Sequence, residues 1–259
     1  MTYEAALVDL DGTVYRGERA TDGAETGIRS LRDAGIVSLF LSNNPTKRPA
    51  AYRDKLAELG IETTTDRILN SVVVAGKFLA ANHAGEPVYV IGEQPLIEEL
   101  GDVDVTVTED PLRASVVLLS LDRSFHYDHL TDVLTAEKAN GPPLYATNPD
   151  RTWPIQGREI PDCGAIIGAV EAMLDREIDA VMGKPSQTMV DVAMDRLGAE
   201  PETSLMVGDR LETDIVMGNA AGMTTVLVLT GVTSRSDLAG SSVQPDHVID
   251  SLADINSIL

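Results

Sequence analysis

The chain's 259 residues, 43% hydrophobic and 24% charged, suffice for one large domain or two modest ones, and a single cysteine, Cys163, leaves no intrachain disulfide and no mark of an oxidising compartment. Twenty Lys and Arg against 41 Asp and Glu give a net charge of −21, which repels nucleic-acid phosphates and anionic membrane surfaces, so neither is an expected partner. No run of 18 apolar residues occurs, and residues 1–10 lack the basic leader of a secretory signal, so a cytoplasmic location is expected.

Short β-branched and apolar runs predict strands at 5–10, 36–41, 88–91, 116–121, 180–182, 205–207 and 225–229, separated by helix-like amphipathic segments. Runs apolar on both faces suit strands buried inside a parallel sheet, with crossover helices between them. The fold class expected is therefore α/β, a doubly wound parallel-sheet core of Rossmann-like type. The chemically suggestive clusters fall within 1–75 and 183–259, so these stretches are read as one core and 76–182 as an inserted, smaller α/β domain.

The first cluster, Asp9-Leu10-Asp11-Gly12-Thr13, closes the first predicted strand, and period two sends Asp9 and Asp11 to the same side. Two carboxylates so close repel one another, and a cation between them and an anionic substrate relieves that repulsion; hard oxygen ligands of this kind suit Mg²⁺. Asp9 can serve as a nucleophile, while Asp11 can protonate a leaving oxygen and later activate water. An Asx turn after a strand is the plainer alternative.

The second cluster, Ser42-Asn43-Asn44, offers a hydroxyl and two amides where a helix is about to begin, a place that suits an anion or only needs a helix cap. Lys184, within Gly183-Lys184-Pro185, puts a compact cation after another strand. The fourth cluster, Gly208-Asp209-Arg210-Leu211-Glu212-Thr213-Asp214, adds two carboxylates, of which Asp209 is the better metal ligand and Asp214 a competing helix cap. Each cluster stands at the carboxyl end of a predicted strand, where open α/β sheets form their sites.

These four clusters together resemble the haloacid dehalogenase superfamily, whose motifs appear here in order as Asp9-x-Asp11, Ser42, Lys184, and Asp209 with Asp214. Ser42 lies 33 positions after Asp9, but Lys184 lies 142 after Ser42, so a cap domain fits only in the second gap. That arrangement resembles the NagD-like branch of nitrophenylphosphatases and phosphoglycolate phosphatases, as do Thr147-Asn148-Pro149-Asp150 and Gly183-Lys184-Pro185-Ser186. The resemblance implies a Mg²⁺-dependent phosphatase acting on small phosphomonoesters through a phosphoaspartate on Asp9. It further implies Asp11 as acid and base, Ser42 and Lys184 as phosphate binders, and Asp9, the Asp11 carbonyl and Asp209 as metal ligands, with Asp214 in the same site. Cap residues Asn148 and Asp150 would contact the leaving group, and similar enzymes often pair through their caps, so the resemblance leaves a homo-oligomer through the cap open while the sequence itself does not set the oligomeric state. A phosphotransferase that passes the group to a metabolite hydroxyl, and a phosphoryl-accepting signalling domain, are the alternatives.

Other polar candidates read as structural. His126 and His129, three apart on a predicted helix, lack a third ligand nearby, and Cys163 has no basic neighbour to activate its thiol. Trp153 either lines a pocket or buries area. Lys occurs at only five positions, 47, 55, 77, 138 and 184, and Arg supplies the other 15 cations. With so many carboxylates, a compact chain is self-repelling until salt near 1 M shortens the screening length to roughly 3 Å, so the composition predicts a halophilic protein from an acidic proteome.

Overall fold

The computed structural model describes residues 3–155 and 158–259, so Met1 and Thr2, at the start of the segment read for a signal, lie outside the described residues. The chain divides into two compact units, one of residues 1–42, 49–69 and 184–259, the other of 43–48 and 70–183. Residues 43–48 and 70–75, expected in the core, thus fall with the second unit, as does Gly183. The reason is local: Asn70 and Ser71 open a helix of that unit, Asn70 Nδ2 donates to the Lys47 carbonyl at 2.7 Å, and Ser71 Oγ donates to the Asn43 carbonyl at 2.8 Å.

In chain order the sheet strands are β1 (Ala5–Asp9), β2 (Val37–Ser42), β3 (Ile68–Asn70), β4 (Val88–Ile91), β5 (Val107–Thr108), β6 (Val116–Leu119), β7 (Leu144–Ala146), β8 (Ala180–Val181), β9 (Ser204–Gly208), β10 (Thr224–Val228) and β11 (His247–Ile249). The first unit is built on the order β11-β10-β9-β1-β2-β3. Counted along that unit, the order reads 6-5-4-1-2-3, the doubly wound arrangement, with its switch point between β1 and β9. β1 pairs in parallel with β2 and with β9, and the register Val8 to Val207 brings the ends of β1 and β9 level. All five residues of β1 are buried, as a strand covered on both faces requires. Each Val or Leu so enclosed contributes about 1.5–3 kcal/mol, which makes Val8→Asp the kind of single change that breaks this sheet.

Helix α1 (Ala24–Asp33) buries Ala24, Gly27, Ile28 and Leu31, one face at helical spacing, and joins the apolar core around Val8, Phe40, Leu205, Val226 and Leu252. Helix α2 is Pro49–Glu58. The second unit carries α3 (Ser71–Asn82), α4 (Gln94–Asp102), α5 (Tyr127–Asn140) and α6 (Cys163–Leu174) around a parallel sheet of order β8-β7-β6-β4-β5. Its separate core gathers Ile91, Val117, Leu119, Val133, Leu144, Ile166 and Val170. Trp153 sits half-buried in an antiparallel pair formed by Thr152–Ile155 and Arg158–Pro161. Back in the first unit, α7 (Gln187–Leu197) starts at Ser186, whose Oγ accepts from Met189 N at 3.2 Å.

One expectation changes: the strand preceding Lys184 is β8, which pairs with β7 in the second unit's sheet. Lys184 therefore enters the first unit as its chain leaves the other sheet, and does not follow a strand of the core. The segment 180–182 is too short to reveal which of two sheets it joins.

Candidate active site

Four side chains converge at the carboxyl ends of β1 and β9. Asp9 is the last residue of β1, Asp209 follows β9, and Asp214 lies on a π-helical turn, Leu211–Ile215, closed by Ile215 N donating to the Arg210 carbonyl at 3.2 Å. Carboxylate oxygens of the three acids lie within 4.8 Å of one another, and all three residues are buried. Lys184, 3% exposed, donates from Nζ to Asp9 Oδ1 at 2.5 Å and to Asp214 Oδ1 at 2.7 Å. Arg210 N donates to the other Asp214 oxygen at 3.1 Å, so Asp214 caps the turn as well as pairing with the lysine.

Glycines make room for Asp209. Gly12 has φ +97, a left-handed backbone that suits glycine, and a Cβ there would stand 2.4 Å from Asp209 Oδ2. A Cβ on Gly231 would come within 1.8 Å of the same oxygen. Asp209 Oδ2 accepts from Val232 N at 2.6 Å, and Thr230 Oγ1 donates to the Gly12 carbonyl at 2.7 Å, which ties the loop after β10 to the loop after β1.

Burial pushes Asp9 well above the usual carboxylate range, against the pull of Lys184 and helped by Asp214 and Asp209. Burial also drives Asp209 up to about 6, with Asp214 adding repulsion. For Lys184 burial works against the charge, but the Asp214 and Asp9 carboxylates outweigh it and hold the ammonium above its ordinary range. Three buried acids share one ammonium. Among the described residues Asp9 Oδ2 and Asp209 Oδ1 are buried with no hydrogen-bond partner, an arrangement costly for a carboxylate unless something positive lies against it. An all-oxygen donor set with two unmet oxygens and an excess of negative charge fits a hard divalent cation such as Mg²⁺.

The remaining expected residues distribute unevenly. Asp11 lies two positions beyond Asp9, but its carboxylate is exposed and outside the acidic cluster, accepting from the Tyr15 hydroxyl at 3.3 Å. Burial, reinforced by Asp11, raises the Tyr15 phenol and keeps it a donor. Ser42 is the buried last residue of β2, one position past the Asp9–Leu41 pair. In the second unit Asn44 Oδ1 closes an Asx turn on Thr46 N at 2.9 Å, while Asn43, Asn148 and Asp150 bond to one another: Asn43 Nδ2 reaches Asp150 Oδ2 at 3.0 Å and Asn148 Nδ2 the same oxygen at 3.3 Å.

The outlying residues have the following surroundings. His126 precedes α5, its N–H donates to His129 Nδ1 at 3.3 Å, and neither histidine belongs to a metal-sized group among the described residues. Burial pushes the Cys163 thiol up to about 12, which removes it as a nucleophile. Sequence reading missed Tyr15 and the Thr230-Gly231-Val232 loop. The loop had a usable signal, since it follows the predicted strand at 225–229 just as the other clusters follow theirs.

Comparison with known proteins gives a consistent family. The haloacid dehalogenase-like hydrolase profile matches residues 6–106 and a HAD-hydrolase-like profile matches 181–255. The sugar-phosphatase AraL of Bacillus subtilis is 36% identical over 97% of this chain and 92% of its own length. Among solved structures, the p-nitrophenyl phosphatase of Archaeoglobus fulgidus superposes with a TM-score of 0.94 at 33% identity over 100% of both chains. NagD of E. coli K-12 gives 0.89 at 29% identity over 98% of this chain and 99% of its own. The glycerol phosphate phosphatase of Mycobacterium tuberculosis in complex with magnesium gives 0.88 at 29% identity over 97% and 75%. Profiles at both ends of the chain and relatives along its whole length meet on one family: the chain belongs to the haloacid dehalogenase-like hydrolases, in their NagD-like branch.

Proposed function

We propose that the chain is a Mg²⁺-dependent phosphatase that hydrolyses small phosphomonoesters through a phosphoaspartate on Asp9. The observation that carries the reading is the pair of unpartnered buried oxygens, Asp9 Oδ2 and Asp209 Oδ1, in a three-carboxylate cluster beside Lys184. Asp9, Asp209 and Asp214, with the Asp11 carbonyl, would hold the ion, which supplies charge neutralisation for an anionic phosphoryl group and its attacking carboxylate.

The chain's own groups account for the chemistry. An Asp9 oxygen attacks phosphorus, the bond to the leaving oxygen breaks, and Asp11 in its acid form gives that oxygen a proton. Asp11, now a carboxylate beside solvent, takes a proton from water, whose oxygen attacks phosphorus and frees Asp9 with release of phosphate. Lys184 and Ser42 bind phosphoryl oxygens, and the Lys184 ammonium pulls against the burial that raises Asp9, with the cation expected to supply the rest of the charge that favours the Asp9 anion. Exposure suits Asp11 to this double duty, because it must meet the leaving group and then water.

Substrates of the sugar-phosphate, glycerol-phosphate, phosphoglycolate, nucleoside-monophosphate or nitrophenyl-phosphate type fit this chemistry, and the names of the relatives fall within that range. A cytoplasmic metabolic setting follows from the acidic surface and single cysteine. Among the described residues no helix is long and apolar enough to cross a membrane. The deciding experiment is a screen of phosphomonoesters with Mg²⁺ at high salt, repeated with EDTA and with Asp9→Asn. Free phosphate released by the wild type alone, and only with the metal, is expected; release by Asp9→Asn at the wild-type rate would sink the reading.

A further inference from the structure

The second unit contains a buried polar knot that the chemistry above leaves unused. Ser120, just past β6, has its hydroxyl 2.9 Å from that of Thr147, just past β7; Thr147 donates to Asn148 Oδ1 at 3.0 Å. Asn148 Nδ2 donates to Asp150 Oδ2 at 3.3 Å and to Asp162 Oδ1 at 3.2 Å, and Asp162 accepts from Cys163 N at 2.6 Å, capping α6. The chain of bonds then reaches Asn43, whose Nδ2 donates to Asp150 at 3.0 Å and whose carbonyl accepts from Ser71 Oγ at 2.8 Å. Ser71, Ser120, Thr147 and Asn148 are wholly enclosed.

Gly183 closes the knot. Its N–H donates to the Thr147 carbonyl at 2.8 Å, and a Cβ on it would stand 2.6 Å from both that carbonyl and Asn43 Oδ1. Asn43 is the peptide neighbour of Ser42, and Gly183 is the peptide neighbour of Lys184. The main chain beside each phosphate-binding residue is thus held by the same set of buried side chains. The carboxyl ends of parallel strands ordinarily open a crevice for a ligand; past β6 and β7 that place is filled by the protein's own hydrogen bonds.

We infer that Ser71, Asn148 and Asp150 are positioning residues, which fix the chain at Asn43 and Gly183 so that Ser42 and Lys184 meet the phosphoryl group in register. Asn148, being enclosed, acts through Asp150 and not on a leaving group. The inference rests on the phosphatase reading above. A buried network tolerates loss of one member poorly, because the abandoned partner must shift to find another, and small displacements of binding groups are felt strongly in rate.

The test uses the full chain with Mg²⁺, p-nitrophenyl phosphate and two esters with unlike leaving groups, and inorganic phosphate as competitive inhibitor. Ser71→Ala and Asp150→Ala are each expected to lower kcat/KM about tenfold for every ester and to weaken phosphate inhibition by a similar factor, since the displaced contacts are to the phosphoryl group. Asp150→Asn keeps an acceptor oxygen for Asn43 and is expected within about threefold of wild type. In a Ser42→Ala background the loss from Ser71→Ala should shrink, because the two residues act in series. Folded variants with unchanged phosphate inhibition overturn the proposal, and so does a loss confined to one ester, the mark of a leaving-group contact. Should Ser71→Ala fail to fold, the contrast of Asp150→Ala with Asp150→Asn decides. A wild-type chain that releases no phosphate from any ester defeats the phosphatase reading instead, and calorimetric binding of inorganic phosphate to the same variants then decides for or against the knot.

Discussion

The Lys184 ammonium stands 2.5 Å from the Asp9 carboxylate across 175 positions of sequence. Burial makes the charged form of Asp9 the costly one, so its raised pKa stabilises the fold below the unfolded value and that contribution disappears as pH rises through the folded value. At neutral pH an amide of the same shape avoids that cost. Asp9→Asn should therefore keep its unfolding midpoint in metal-free buffer while turnover falls about a thousandfold or more. Circular dichroism on heating, beside a phosphate-release assay, checks both halves.

Asp209 gives a pH signature for the metal. Its pKa is raised from 3.8 to about 6, so the metal-free protein holds an extra proton relative to the unfolded chain in that window and loses this stabilisation as pH rises across it. A cation competes with the proton for the same carboxylate. The rise in unfolding midpoint on adding Mg²⁺ should accordingly grow from pH 5 to pH 7; a gain of about 2.7 kcal/mol corresponds to metal at a hundred times its Kd. A midpoint shift that is the same at both pH values would dissociate Asp209 from the metal.

Gly231 tests the cradle without replacing a titrating group. Gly231→Ala drives a methyl against Asp209 Oδ2, only 1.8 Å from the new Cβ, so Mg²⁺ affinity by titration calorimetry should drop about tenfold or more. Gly168→Ala, in α6 where nothing lies within 4 Å, is the control and should leave affinity unchanged while stabilising the helix by up to about 1 kcal/mol.

Cys163 should resist thiol chemistry. Its thiol is buried at the start of α6, donates to the Leu119 carbonyl at 3.6 Å, and is pushed up to about 12 by burial, so the reactive thiolate is scarce at pH 8. Labelling by a disulfide reagent at pH 8 should be slow in the native protein and complete in guanidinium; fast native labelling contradicts the burial.

The charge of −21 predicts salt dependence. Exposed clusters such as Arg48 with Glu98, Glu99 and Asp102 gather several acids on one cation, and the remaining acids repel. The unfolding midpoint should climb as KCl is raised from low to multimolar concentration. Greatest stability at low salt would defeat the halophilic reading.

Most of what places Asp9 and Asp209 was legible because it is local. Long apolar runs such as Ala5–Asp9 and Ser204–Gly208 advertise buried parallel strands, and polar residues at their ends advertise a site. Short strands such as Val107–Thr108 and Leu144–Ala146 carry too few residues for a period to show. The enlistment of 43–48 into the second unit was invisible for a different reason: it depends on Asn70 and Ser71 bonding to main-chain carbonyls, and a carbonyl leaves no trace in sequence. Asp11 illustrates the limit of period two, since the strand stops at Asp9 and the turn at Gly12 sends the second acid into solvent.

The first unit is assembled from stretches on both sides of the second, with β1 lying between β2 and β9. During synthesis, β1 emerges roughly two hundred residues ahead of β9, and its flank on that side waits for a neighbour. A ribosome that stalls between Asp9 and Asp209 leaves a fragment bearing Asp9 but neither a finished sheet nor a complete acidic trio. Such a product carries an unpaired strand edge, the kind of surface that invites pairing with another chain.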